Sequence, residues 1–252
     1  MNHRKLLLFN RILALLGLMT LASCRPWFTR QVSGEILAVE GAPEGILQGK
    51  TIRLTERTGI SPGMTIRVPP GSRIDLLLLP GILIELQPDT EVEIERLRLS
   101  RDGDESIRPM IAREATIRLL RGALFATVGH APTRSGLEIE TLVGSVIAGS
   151  GRAFMTAAEG QKLRIVSARG KVAFAPLDGT PLIKIEPGYF AVLPGASATP
   201  QSAAESGAPA QKEVAETIKT ESQLRQLERE NQASFRRWRN RPVHPADPAS
   251  EE

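Results

Sequence analysis

Cysteine occurs once in these 252 residues, tyrosine once and histidine three times, and aromatic residues make up only 4% of the chain. A single thiol excludes any intramolecular disulfide. With so few aromatic rings the core has to be aliphatic, and stacking platforms for bases or sugars are not expected. His3 and His244 lie at the two extremes of the chain and His130 stands alone, so neither a Ser-His-Asp triad nor a histidine metal site is expected. No metal ion and no cofactor is implied.

The one cysteine, Cys24, stands in an informative place. Met1 to Arg11 supplies Arg4, Lys5 and Arg11, and Ile12 to Leu21 gives an apolar run that ends in small residues. The run is too short to span a bilayer and has the layout of a secretory leader. Leu21-Ala22-Ser23-Cys24 resembles a bacterial lipobox. That resemblance implies acylation of the Cys24 thiol, cleavage before Cys24 and acylation of the new amine, which together anchor a protein stably where one chain would not. In enteric-type lipoproteins an Asp after the cysteine resembles an inner-membrane retention signal. Arg25 stands there instead, which implies a periplasm-facing anchor in the outer membrane. Loss of the three leader cations lowers the formal charge from +4 to +1, so the basic balance does not argue for nucleic acid.

Between Gly34 and Pro194 the pattern is that of strands. Thr51 to Thr55, Met64 to Val68, Leu137 to Thr141 and Ile183 to Glu186 alternate polar and apolar residues, which predicts one buried and one wet face. Leu76 to Leu79 and Ile82 to Ile84 are apolar on both faces and are expected where the sheet is covered on both sides. Pro-Gly pairs at 62–63, 70–71, 80–81, 187–188 and 194–195, with Asp102-Gly103, Arg169-Gly170 and Asp178-Gly179, are expected turns. The apolar phase is even at Val92 and Ile94 but odd at Leu97 and Leu99, which predicts a bulge or strand break at Glu95-Arg96. The fold class is therefore all-β, a sandwich, a roll or a short solenoid.

Six segments in order carry a family resemblance. They are Gly63 to Arg67 with Gly71 to Leu76, Pro80 to Leu86, Leu120 to Phe125, Glu140 to Ser150, Val166 to Val172 and Ile185 to Tyr189. Together they resemble the FecR-type domain. The resemblance implies that fold and a periplasmic protein-binding module. Leu142-Val143 and Ser150 depart from the family's Thr-Pro step and final Thr. The named members resemble inner-membrane relays with an anti-sigma segment and a spanning helix. This chain is expected to lack both.

The organisation expected is a signal peptide over 1–23, an anchor and tether over 24–33, the β-domain over 34–195, a flexible linker over 196–211, a charged helix over 212–241 and a disordered tail over 242–252. The linker, rich in Ala, Ser, Pro and Gly, is expected to hold the helix away from the β-domain. Arg236, Arg237, Trp238, Arg239 and Arg241 form a basic, Trp-anchored patch suited to anionic headgroups or an acidic partner. Gly49-Lys50-Thr51 resembles the end of a phosphate loop but lacks the glycine and the helix it needs. Glu91, Glu93 and Glu95 share a face and are read as a solvated edge rather than a calcium site. With no nucleophile–base pair in sight, the expectation is a non-catalytic, lipid-anchored envelope module that docks another envelope protein through exposed strand edges. Two alternatives are a glycan or peptidoglycan binder tethering membrane to wall, and a FecR-like signalling component lacking the anti-sigma segment.

Overall fold

A computed structural model describes residues 27–102, 110–130, 134–193 and 199–230. Cys24 and the expected signal peptide over 1–23 lie outside these, as do Arg236 to Arg241. The described chain is all-β with one C-terminal helix, in agreement with the expected class.

The first half contributes β1 (Trp27–Gln31), β2 (Gly34–Glu40), β3 (Glu44–Leu47), β4 (Lys50–Arg53), β5 (Gly59–Ile60), β6 (Thr65–Val68), β7 (Arg73–Leu79), β8 (Ile82–Leu86) and β9 (Thr90–Asp102). The second half contributes β10 (Met110–Val128), β11 (Arg134–Glu140), β12 (Gly144–Gly149), β13 (Arg152–Glu159), β14 (Lys162–Arg169), β15 (Val172–Pro176), β16 (Ile183–Ile185), β17 (Tyr189–Leu193) and β18 (Gln201–Ser202), and then α1 (Ala208–Glu230).

These strands form a barrel-like body of two sheets joined through one shared strand. The first sheet runs β4–β3–β6–β9–β10–β11–β12–β15–β16, with β1 beside the far half of β9. The second runs β5–β2–β7–β8–β10–β13–β14–β17–β18. The long strand β10 belongs to both. Its residues 112–118 lie parallel to β11, and residues 124–128 lie between β8 and β13.

Gly122 makes the corner between the two halves of β10. Its φ is +89°, and a Cβ there would come within 2.5 Å of Thr90 Cα. Only glycine supplies that torsion in that space. The Thr90 hydroxyl pins the corner by donating to the Ala123 carbonyl and accepting from the Ala123 N–H. One aliphatic core fills the barrel, with Leu54, Ile66, Ile74, Leu76, Ile84, Ile94, Ile117, Ile139, Phe154 and Ile165 fully enclosed.

Local expectations meet the structure strand by strand. The glycines of the Pro-Gly pairs at 63, 71, 81 and 188 all have positive φ, as do Gly170 and Gly179. Pro194-Gly195 and Gly103 lie outside the described residues. The bulge sits where the phase switch put it: Arg96 pairs with Thr116 and Ile94 with Ile117, so Glu95 is the extra residue. Val92, Ile94, Leu97 and Leu99 are then all buried. Leu76 to Leu79 and Ile82 to Ile84 are buried on both faces.

Three expectations need correction. Thr51 to Arg53 is not half-buried; every residue of β4 is exposed, and only Leu54 beyond it enters the core. β4 is the outermost strand of its sheet, so its alternation has nothing to cover it. The helix begins at Ala208 rather than Lys212, because a proline such as Pro209 is tolerated in a first helical turn. Residues 196–211 are not a free linker where they are described: Gln201 and Ser202 pair with Phe190 and Tyr189, and Ala203 and Ala210 are buried against Val166 and Phe190. Small side chains here permit close approach of two elements rather than freedom.

Candidate functional site

The outer face of the second sheet is where the helix and the buried charges converge. α1 docks there, which overturns the expectation of a helix held away from the barrel. Its buried stripe reads Ala210, Val214, Thr217, Thr220, Glu221, Leu224 and Leu227, the spacing of a single helical face. Leu224 closes over Leu37, Leu77 and Leu83, with Leu227 beside it. Ala210 and Val214 close over Val166, Phe190 and Met155. The doubly apolar strands β7 and β8 thus have the helix as their outer cover.

Charge fastens the same contact along its length. Near the start of α1, Glu213 accepts two hydrogen bonds from the Arg164 guanidinium, at 2.9 and 2.6 Å, and that guanidinium lies 4.6 Å over the Phe190 ring. In the middle, buried Glu221 pairs with Arg225 at 2.9 Å and Arg169 at 3.2 Å, and Arg225 donates to the Thr127 hydroxyl. Near the end, Glu228 accepts from the Gly81 N–H at 2.8 Å, beside Arg113, which donates to the Pro80 carbonyl. Burial raises the Glu228 pKa, and its hydrogen bond from Gly81 and the two arginines oppose the rise.

Beyond the helix on the same face lies a buried acidic pair. Asp75 and Glu85 are directly opposed on β7 and β8, and each is only 4% exposed. Like charges so placed repel, and both are short of water. Burial first, and the neighbouring Glu85 second, push the Asp75 carboxyl up to about 7, against the opposing pull of Arg73. Burial also raises Glu85, which Arg73 and a hydrogen bond from Gln87 partly offset. Arg73 is committed mainly to Glu40, at 2.7 Å, and stands 3.9 Å from Glu85. Asp75 Oδ1 has no hydrogen-bond partner.

On the first sheet, the glutamates of β9 are paired across strands. Arg118 lies 3.3 Å from Glu93, 2.6 Å from Glu95 and 3.1 Å from Glu140, while Glu91 takes Arg67 and Arg121. Arg96 and Arg98, their neighbours in sequence, are not the partners in these pairs. Among the described residues no group of three or more His, Asp or Glu is arranged to hold a metal ion. Gly49-Lys50 belongs to a hairpin turn leading into β4, so no helix N-terminus comes after it. No described helix is long and apolar enough to cross a membrane.

The remaining feature is the free edge of β4. Gln48 and Gly49 both have positive φ, the signature of a type I′ turn, and Leu47 pairs with Lys50 across it. Bonded and non-bonded pairs alternate from there, so the N–H and C=O groups of Thr51 and Arg53 point away from β3. Among the described residues no strand pairs with that side.

The predicted lipid site Cys24 and the predicted basic patch at Arg236, Arg237, Trp238, Arg239 and Arg241 lie outside the described residues. The Asp75–Glu85 pair and the charged clasps of the helix were missed in the sequence. For Asp75 the signal was a lone acid inside an otherwise apolar strand.

The FecR protein family matches residues 64–173, so the chain carries a FecR domain there. No curated protein matches the chain. Two crystal structures, each described as that of a candidate anti-sigma factor from Parabacteroides distasonis ATCC 8503, are similar to it. One is 14% identical with a TM-score of 0.41, and the match covers 55% of this chain and 59% of that one. The other is 15% identical with a TM-score of 0.40 and the same two coverages. The chain thus spans about three fifths of the length of the solved structures it matches.

Proposed function

We propose that this chain is a non-catalytic, lipid-anchored cell-envelope module that binds another envelope protein by accepting a strand along β4. The observation that carries the reading is the outward-facing backbone of Thr51 and Arg53 on a strand exposed on both faces. Strand addition supplies main-chain hydrogen bonds for affinity and leaves selectivity to the flanking side chains. Lys50 and Arg53 bias the edge against a second copy of itself, since antiparallel self-pairing would oppose like charges. A partner strand bearing acidic residues suits it better. The lipobox-like Leu21 to Cys24 supports the anchor, on Cys24 and on the outer membrane's periplasmic face. A FecR-like signalling component is the second reading, favoured by the FecR domain at 64–173; it would use the same edge.

The edge can be closed without touching the hairpin. Thr51→Pro removes an N–H that faces away from β3, so no ladder bond is lost. Crosslinking and pull-down of the mature, detergent-solubilised protein should recover an envelope protein with wild type and at least tenfold less with Thr51→Pro, at unchanged thermal unfolding. Equal recovery would remove β4 as the docking edge. Recovery of no envelope protein, with sedimentation on purified sacculi that high salt abolishes, would replace this reading with the glycan-binding one.

A further inference from the structure

The solvent face of the first sheet carries a row of charges that alternates strand by strand. Arg121 on β10 is opposed by Glu91 on β9, Glu91 by Arg67 on β6, Arg67 by Glu44 on β3, and Glu44 by Arg53 on β4. Arg67 lies 2.9 Å from one oxygen of Glu91, and Arg121 lies 3.3 Å from the other. Opposite charges directly across two strands favour the pairing, and like charges oppose it. At its inner end the row stops at the Gly122 corner, where β10 leaves this sheet for the other. At its outer end it stops at Arg53, an exposed cation on the free edge. Among the described residues Arg53 is in no ion pair.

The core face of the same strands carries a matching apolar row. Leu119, Val92 and Ile66 are buried neighbours, Gly45 comes next, and Ile52 on β4 closes the row. Ile52 leans over the glycine: a Cβ at Gly45 would stand 3.3 Å from Ile52 Cγ1. With no strand beyond it, Ile52 is 38% exposed. Both rows therefore end on β4 one neighbour short.

An added strand would meet these residues in a fixed register. The pairings β4–β3, β3–β6 and β6–β9 are all antiparallel, so an antiparallel strand continues the sheet in kind. Thr51 and Arg53 turn their N–H and C=O outwards, so the residues facing them fall in hydrogen-bonded pairs. The residue facing Ile52 falls in the closer, non-bonded pair, with its side chain against the isoleucine. The incoming chain meets Arg53 first, then Ile52, Thr51 and Lys50. Lys50 is exposed and lies on the Ile52 side of the strand.

Resting on the reading of β4 as the docking edge, we propose that the strand it accepts is antiparallel and reads, from its N-terminal end, acid, apolar residue, any residue, acid. The first acid stands opposite Arg53 and supplies the next member of the charge row. The apolar residue covers Ile52 and supplies the next member of the core row. The second acid stands opposite Lys50. Main-chain bonds give affinity that any extended segment shares, and these three side chains select among segments. The partner is a protein that carries this pattern on an exposed, extended stretch.

Fluorescence anisotropy of the full chain in detergent, with two labelled peptides of equal composition, tests the register. Thr-Thr-Thr-Glu-Val-Thr-Glu-Thr-Thr-Thr carries the pattern, and Thr-Thr-Thr-Glu-Glu-Thr-Val-Thr-Thr-Thr breaks it. The first should bind about fivefold more tightly than the second, the size expected of one or two cross-strand pairs. Arg53→Glu should weaken the first peptide by about fivefold or more, and replacing the first Glu of that peptide by Lys should restore binding to the variant but not to wild type. Equal binding of both peptides, or no response to the charge exchange, overturns the register. Failure of both peptides to bind at 1 mM overturns the pattern, whereas recovery of an envelope protein that Thr51→Pro abolishes would leave the docking edge itself standing. Peptide binding that survives Thr51→Pro overturns the proposal and the edge together. A concentration-dependent dimer that Thr51→Pro abolishes would seat a second copy on the edge and overturn the acidic partner.

Discussion

Asp75 is the residue whose chemistry is most at odds with its place. Its carboxyl is buried opposite Glu85, and its pKa is raised from 3.8 to about 7. The folded state therefore holds a proton that the unfolded chain releases between roughly pH 4 and 7. Stability from that proton is complete below the unfolded value and is lost as pH rises through the folded one. Asp75→Asn keeps the shape and removes the charge. It should stabilise the protein by about 2–4 kcal/mol at pH 8 and by almost nothing at pH 3, below the unfolded value, measured by urea unfolding at each pH. An equal effect at both would mean that Asp75 does not titrate in this window. The sequence around Asp75, Arg73 to Leu79, shows a lone acid in an apolar strand but not the opposed Glu85, because strand register is a property of the pair. At Glu95 the reverse holds: the switch of apolar phase between Ile94 and Leu97 is local, and the bulge could be read from it.

At the scale of elements, the helix carries the larger lesson. A search for apolar residues along 208–230 finds too few for a core-facing stripe. The stripe that docks is made of Thr217, Thr220 and Glu221 as much as Leu224, and its partners Arg164, Arg169 and Gly81 are far away in the chain. Yet the need for a cover was written in β7 and β8, whose two apolar faces require one. Truncation after Gly207 should therefore destabilise the barrel. It uncovers Leu37, Leu77, Leu83, Val166 and Phe190, and a loss of about 3 kcal/mol or more is expected in chemical denaturation. Leu224→Ala alone should cost about 2–4 kcal/mol. A truncated barrel as stable as the full chain would restore the tethered helix that composition suggests. β4 failed for a related reason: alternation marks a strand with a possible buried face, and only the sheet order decides whether anything lies over it.

At the scale of the whole molecule, the FecR domain at 64–173 spans β6 to the start of β15 and includes the corner at Gly122. The free edge β4 and the helix lie outside that segment. The continuity of β10 through both sheets has a further consequence, for cooperativity. Neither sheet owns a complete set of strands without it, and fraying β10 at either end strips partners from the other sheet through the pinned Thr90–Ala123 corner. The two sheets cannot melt one after the other. Calorimetry should show a single transition whose van't Hoff and calorimetric enthalpies agree, and amides on β8 and on β11 should exchange by one common global opening.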